Sequence, residues 1–363
     1  MNNHFSSLLT TWFAQKDDYQ WVLASIIETQ GSAYRKAGAM MLLNSLGQSY
    51  GLLSGGCLEG DLLKQAQKCL QNNSALIVCY DMQEDSDIAW QLGIGCGGLV
   101  KVLLQPINQA NNYLDLMTLH AKLTARQACY YQLSLALEQV ENFTLASADN
   151  LLSEQDVANR KTLNTLDKIP TGRTSQLVKT ANANSVTFFI KPTPSLTIIG
   201  GGIDAKPLLD MATILGWHTC IIDSRSGYAR AKHFNKADFI INQPLADDSV
   251  VKALSDSDAI VIMQHNIHLD AQALLLSCHV KAKYLGLLGP QHRTAKVMAL
   301  VKEKMPDFNC SLANPIGLDL GGELPESIAL SIVAQIHAVL ENASARPLGT
   351  FDSARDVELS DVG

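Results

Sequence analysis

Residues 200 to 205 read Gly-Gly-Gly-Ile-Asp-Ala, so that Gly200, Gly202 and Ala205 fill a GxGxxA pattern between an apolar run and a helix-like stretch. Such a turn suits an anion. Gly200 permits the tight turn, Gly202 lets a diphosphate approach the backbone, and Ala205 lets the next helix pack closely on the strand. The N–H groups and positive dipole end at the helix start complete the cradle. Asp223 closes the following β-rich run, where a carboxylate accepts a hydrogen bond from a ribose hydroxyl and repels a 2′-phosphate. Arg225, two residues on, can receive that phosphate if its side chain turns inward. The plainer alternative is a glycine turn used only for packing, but strand, turn, helix, strand and acid all fall in order.

Two glycine-flanked cysteines offer a second kind of chemistry: Cys57 after Gly55 and Gly56, and Cys96 between Gly95 and Gly97. A thiol surrounded by exposed amides is equipped as a soft metal ligand or a sulfur acceptor, which makes both cysteines candidate metal or sulfur contacts, although most free cysteines are buried and inert. Cys57 falls where a helix is expected to begin, a position that favours a thiolate. Arg35 and Lys36 occupy a Gly- and Ala-bounded loop suited to an anionic group or, equally, to ordinary solvated charges. His265 and Asn266 follow one apolar run, and Gly289, His292 and Arg293 follow another, all at expected carboxyl ends of parallel strands. His265 and His268 have HxxH spacing without a third ligand nearby, so a metal there is the weaker reading. No GxSxG, HExxH or GxxxxGK[ST] occurs, which argues against a serine hydrolase, a zincin or a P-loop enzyme.

The elements that must position these groups divide at Pro192 and Pro194. Residues 1–192 read as a mixed, strand-rich α+β domain, with short apolar runs at 21–29, 39–43, 75–80 and 99–104 and a helix over 58–70 starting near Gly56. A turn is expected at Asn44, Ser45 and Gly47. Further strands are expected in 128–138 and 184–191, with a loop or surface insertion around 149–176. Residues 193–345 alternate apolar runs (196 onward, 238–241, 259–263 and 283–289) with helical stretches, the pattern of a parallel sheet covered on both faces. Pro325 suits the first turn of a helix running to about Leu340, and residues 346–363 read as a polar tail. The fold class is therefore α/β.

The chain of 363 residues is 47% hydrophobic with net charge −7 and a pI near 5.7. No basic surface points to nucleic acid or to an anionic membrane. No signal pattern or apolar run of transmembrane length occurs, so a cytoplasmic location is expected. The eight cysteines show no CxxC spacing, so neither a disulfide framework nor a zinc ribbon is suggested.

Taken together the motifs resemble the xanthine dehydrogenase accessory factors, the XdhC/CoxI family. The strings are TQGSAYRKAGAMML, GLLSGGCLEGDLL, GIGCGGLVKVLLQP, TIIGGGIDAKPLLDMATILGWHTCIIDSR, IVIMQHN, YLGLLGPQHR and NPIGLDLGGELPESIALSIVAQI, in family order from about residue 25 to 340. Where many relatives carry GAGH, this chain has Ile203 and then Asp204, a GxGxDAxPL-type turn. The resemblance implies a CoxI-type N-terminal domain and a Rossmann-like C-terminal domain, commonly in a homodimer. It also implies a function: binding and protecting molybdenum cofactor (molybdopterin), assisting its sulfuration with a cysteine desulfurase, and handing it to a xanthine dehydrogenase-type apoenzyme. The residues leave two other readings open. One is an NAD(P)-dependent oxidoreductase, favoured by Gly200, Gly202, Ala205 and Asp223 but lacking an evident hydride-transfer acid or base. The other is a nucleotide-sensing scaffold. An accessory factor fits better than an enzyme, and the Rossmann ligand stays open between NAD, another nucleotide and none.

Overall fold

The computed structural model describes residues 3–81, 98–134, 145–147, 175–178 and 185–349. Two compact units divide the chain, residues 1–194 with 213–218 and residues 195–212 with 219–363.

In the first unit, α1 (Phe5–Gln15), β1 (Trp21–Gln30), β2 (Met40–Asn44), β3 (Ser49–Tyr50), α2 (Glu59–Asn72), β4 (Leu76–Asp81), β5 (Leu99–Ile107) and α3 (Leu116–Thr124) follow in order. The five strands form an antiparallel sheet ordered β3-β2-β1-β5-β4. β1 is buried from Trp21 to Ile26 because both faces of the sheet are covered. Trp21 and Leu23 join Leu8, Leu9 and Trp12 of α1 and Leu116 and Leu119 of α3. Val22, Ala24 and Ile26 join Leu62, Ala66 and Cys69 of α2. Double coverage is why an antiparallel strand here reads as an unbroken apolar run, and each large side chain so buried contributes about 1.5–3 kcal/mol. The turn expected at Asn44 to Gly47 is present, with the Gly47 N–H donating to the Asn44 carbonyl at 3.0 Å and Gly47 at φ +78°. A second antiparallel sheet, ordered β7-β6-β9-β8, comprises β6 (Cys129–Ser134), β7 (Leu145–Ser147), β8 (Ser175–Val178) and β9 (Ser185–Ile190). Most of the stretch expected as a loop, 149–174, lies outside the described residues.

The second unit contains β10 (Ser195–Ile199), α4 (Ala205–Ile214), β11 (His218–Ile222), β12 (Phe239–Ile241), α5 (Asp248–Ser255), β13 (Ala259–Ile262), α6 (Ile267–Ser277), β14 (Tyr284–Leu287), α7 (Gln291–Lys304) and α8 (Pro325–Leu340). Its five strands form the expected parallel sheet, ordered β12-β11-β10-β13-β14. The chain runs outward from β10 to β12, then crosses back to β13. The order therefore reverses between β10 and β13, and the crevice at that reversal is where open α/β sheets take their ligands. β10, β13 and β14 are buried throughout, and α5, α6 and α7 supply Val250, Leu254, Leu274, Val297 and Val301 to one core with them. Among the described residues no helix is long and apolar enough to cross a membrane.

Candidate functional site

At the carboxyl end of β10 the glycine turn leaves no space for side chains. Gly200 adopts φ +126° and donates its N–H to the Ile222 carbonyl at 2.8 Å, and a Cβ there would stand 2.4 Å from the Met263 carbonyl oxygen. A Cβ on Gly201 would stand 2.3 Å from the Ala229 nitrogen. Gly201 is itself tied on both sides: its carbonyl accepts from the Ala229 N–H at 3.0 Å, and its N–H donates to Asp223 Oδ2 at 2.8 Å.

Asp223 faces inward. Its side chain is fully buried, Oδ1 accepts from the Arg225 N–H at 3.0 Å and Nε at 2.9 Å, and Oδ2 accepts from Arg225 Nη2 at 2.7 Å as well as from Gly201. Burial pushes the carboxyl upward, but the Arg225 guanidinium and the two amides outweigh it and hold the group below its ordinary range. Arg225 turns inward, as one sequence reading allowed, but onto Asp223. Its Nη1 donates to the Gln264 carbonyl at 2.9 Å, and its guanidinium lies 3.8 Å from the centre of the Tyr228 ring.

Across the reversal point, His265 Nε2 and Asp204 Oδ2 are 2.7 Å apart, so the residue before α4 and the loop after β13 are joined over the crevice. Each steadies the other's charge. The hydrogen bond from His265 lowers Asp204 against burial, and the bond to Asp204 raises His265 against burial and the nearby Arg293. His265 sits at φ +55°. Asn266 serves as the N-cap of α6, its Oδ1 accepting from the N–H groups of His268 at 3.0 Å and Leu269 at 3.1 Å. Gly289 has φ +140°, with the Arg293 side chain beside it. Arg293 Nη2 pairs with the buried Asp270, whose Oδ1 accepts the Gln264 N–H at 3.1 Å. Gly200, Gly202, Asp204, Asp223, Arg225, His265, Asn266, Gly289 and Arg293 thus gather along the edge formed by the carboxyl ends of the parallel strands.

A cavity of about 300 Å³ opens beside this edge on the β11 side, lined by Gly201, Gly202, Ile203, Gly227, Tyr228, Arg230, His233 and Phe234. Of the residues singled out from the sequence only Gly202 and Ile203 line it. The segment Gly227–Phe234 escapes a motif-based reading because it lies beyond Asp223 and outside any regular element. The available signal is its composition, two aromatic residues interleaved with an arginine and a histidine directly after the acid of a βαβ start.

The first unit brings a second group together. Tyr34 packs over Gly55, where a Cβ would stand 3.8 Å from its ring. Gly98 is pressed against the end of β1, where a Cβ would meet the Ser32 and Gln30 carbonyl oxygens at 2.1 and 2.6 Å. The loop carrying Arg35 and Lys36, the loop carrying Gly55, Gly56 and Cys57, and the chain entering β5 therefore meet at one end of the sheet. Lys36 Nζ lies 3.5 Å from the Gly31 carbonyl. The helix expected near Gly56 begins at Glu59, and Cys57 precedes its N-cap, Leu58. The Ser54 hydroxyl organises the bend by accepting from the N–H groups of Gly56 at 3.2 Å and Leu58 at 3.0 Å, and it donates to Glu59. Burial works to raise Glu59, and Ser54 more than reverses it. Cys57 is half-buried, and it, Ala33 and Ala37 each pack against the core on the α2 side of the sheet. Gly95, Cys96 and Gly97 lie outside the described residues, among which no group of three or more His, Cys, Asp or Glu is placed to hold a metal ion.

Fold and site together define an α/β protein with a Rossmann unit whose glycine turn is locked by a buried carboxylate, joined to a unit built on an antiparallel sheet. Residues 196–336 match the XdhC Rossmann domain, and residues 14–81 match the XdhC and CoxI family. The chain belongs to that family, as its motifs imply. It is 31% identical over 324 residues to a probable xanthine dehydrogenase subunit of Bacillus subtilis strain 168, covering 88% of this chain and 93% of that one. It is 21% identical over 324 residues to the molybdenum cofactor insertion chaperone PaoD of Escherichia coli K12, covering 88% and 83%. A crystal structure of a xanthine dehydrogenase from Bacillus halodurans superposes with a TM-score of 0.74 at 29% identity, covering 96% of this chain and 98% of that one.

Proposed function

We propose that this chain binds molybdenum cofactor as cargo, shields it, and delivers it to a xanthine dehydrogenase-type apoenzyme during maturation. The relatives' names support the class of role. The observation that carries it on this chain is the meeting of the Arg35–Lys36 loop, the Gly55–Cys57 bend and the Gly98 end of β5. That site combines the soft half-buried thiol of Cys57, closely approachable backbone at Gly56, and a basic loop, a donor set suited to a thiophilic oxo-metal with an anionic appendage. Cys96 stays a candidate second contact. On the same reading a cysteine desulfurase supplies sulfur, and the chain acts as a homodimer in the cytoplasm.

The test loads the full chain with molybdenum cofactor, removes free cofactor by gel filtration, and measures retained molybdenum and activation of a xanthine dehydrogenase apoenzyme. Retention and activation by the parent, both reduced in Cys57→Ser, are expected, since serine is nearly isosteric but a poor soft-metal ligand. Retention no higher than that of an unrelated Rossmann protein would sink the reading.

A further inference from the structure

We infer that the cavity between the glycine turn and Gly227–Phe234 takes a phosphorylated planar heterocycle of mononucleotide size, and that this Rossmann unit is not a dinucleotide site. The inference deepens the proposed function by assigning a ligand class to the second unit, and it rests on four features of this chain.

The first is the fate of Asp223. A dinucleotide site of this topology needs a carboxylate at the end of the second strand to receive ribose hydroxyls. Here that carboxylate is fully buried and accepts four hydrogen bonds, from the Gly201 amide and from three groups of Arg225. A ribose could reach it only by breaking its ion pair with Arg225. The second is size. About 300 Å³ lies at the small end of the roughly 300–1,000 Å³ range of ligand pockets, room for one ring system with its phosphate.

The third is charge. Arg230 and His233 stand on the cavity wall, and among the described residues no carboxylate pairs with Arg230. Its Nη2 would stand 3.0 Å from a Cβ on Gly227, so the guanidinium is folded back along the lining. With the Gly202 and Ile203 backbone, just before α4, on the same lining, the wall offers a guanidinium, an imidazole and main-chain groups to a phosphate monoester. The carboxylate next to the turn, Asp204, is engaged by His265 Nε2 at 2.7 Å. The fourth is an aromatic platform. Tyr228 is braced on one side by the Arg225 guanidinium at 3.8 Å and is 42% exposed, leaving ring surface for a planar ligand to stack on, and Phe234 closes the apolar floor at 1% exposure. Asp223 thus shapes the site indirectly, by holding the arginine that holds the tyrosine.

Two sources share this chemistry, a nucleoside monophosphate and a pterin phosphate, and the test separates them. Binding of guanosine 5′-monophosphate, neopterin monophosphate, NAD and inorganic phosphate to the full chain is measured by calorimetry, for the parent and for Arg230→Glu, Tyr228→Ala and Tyr228→Phe, with thermal unfolding as a check on folding. At least one monophosphate is expected to bind about tenfold or more tightly than NAD and than inorganic phosphate. Arg230→Glu should weaken it about tenfold or more, Tyr228→Ala should weaken it, and Tyr228→Phe should retain it. The tighter of the two monophosphates names the source. NAD binding as tightly as both, no binding of either monophosphate, or binding untouched by Arg230→Glu in a folded variant would overturn the inference. Such a failure alongside intact molybdenum retention and apoenzyme activation would leave the proposed function standing. Monophosphate binding without retention or activation would do the reverse.

Discussion

Arg225 grips the carboxylate of Asp223 through Nε and Nη2 at 2.9 and 2.7 Å while its guanidinium lies 3.8 Å from the centre of the Tyr228 ring. One planar cation therefore joins the buried anchor of the glycine turn to the rim of the cavity. The fork is what makes this possible, since a lysine carries the same charge without the bidentate geometry or the stacking plane.

Arg225→Lys is accordingly expected to destabilise the second unit by about 1–2 kcal/mol, a figure reduced because the guanidinium is partly solvated. Asp223→Ala should cost more, about 3 kcal/mol or above, because it strands the arginine and releases the Gly201 amide. Urea unfolding followed by hydrogen exchange of the β10 and β11 amides checks the order. Equal stability of the two variants and the parent would contradict it.

The glycines divide by what a methyl group would meet. Gly201→Ala places a Cβ 2.3 Å from the Ala229 backbone nitrogen, with no flexible side-chain end to yield. It is expected to destabilise by about 2 kcal/mol or more. Gly60, in the first turn of α2, has open space around its Cβ position and no positive φ. Gly60→Ala should therefore stabilise the first unit by about 0.5 kcal/mol through helix propensity. Thermal midpoints moving in opposite directions are the expected result.

The Asp204 and His265 pair sets a pH window. His265 is raised by its bond to Asp204, so its contribution is complete below the ordinary value of 6.5 and is lost as pH climbs through the raised folded value. Asp204 is lowered, so its contribution is present above the ordinary 3.8 and is lost as pH falls through the depressed folded value. The contact is strongest between those limits, with Arg293 opposing and Asp270 reinforcing the charge on His265. In Asp204→Asn the His265 ring should titrate at lower pH than in the parent, read from imidazole proton shifts by NMR. An unmoved titration would show that the two side chains do not meet in solution.

Much of this is legible in the sequence because the signals are local. Glycines at 200 and 202 with Ala205 mark a turn whose sterics at Gly200 admit little else, and unbroken apolar strands mark a sheet covered on both sides. The family resemblance rests on strings running through both units. The partners of those residues are not legible. A carboxylate at the end of β11 looks the same in sequence whether it faces a ribose or, as here, an arginine two residues away and a buried amide. Asn266 likewise looks like a ligand contact until α6 is seen to start on it. The α1 helix escapes the sequence although Phe5, Leu8, Leu9 and Trp12 have helical spacing, because Ser and Thr interrupt a short run whose burial depends on the distant α3.

The cysteines supply a last prediction, one that joins burial to the proposed cargo site. Burial pushes the thiols of Cys69 and Cys220 up to about 12 and that of Cys129 up to about 11. At mild pH the thiolate fraction of Cys69 is thus roughly a thousandfold below that of a thiol at its ordinary 9.0. Cys79 is exposed and Cys57 half-buried on the bend before α2. Brief iodoacetamide treatment at pH 8 followed by peptide mass spectrometry should label Cys79 and then Cys57, leaving Cys69, Cys129 and Cys220 unmodified until the chain unfolds. Preloading with molybdenum cofactor should then slow labelling of Cys57 while leaving Cys79 unchanged, because only Cys57 belongs to the group formed with the Arg35–Lys36 loop and Gly98. Labelling of both at unchanged rates in cofactor-loaded protein would remove Cys57 from the site and shift the weight of binding onto the basic loop and the backbone of Gly56.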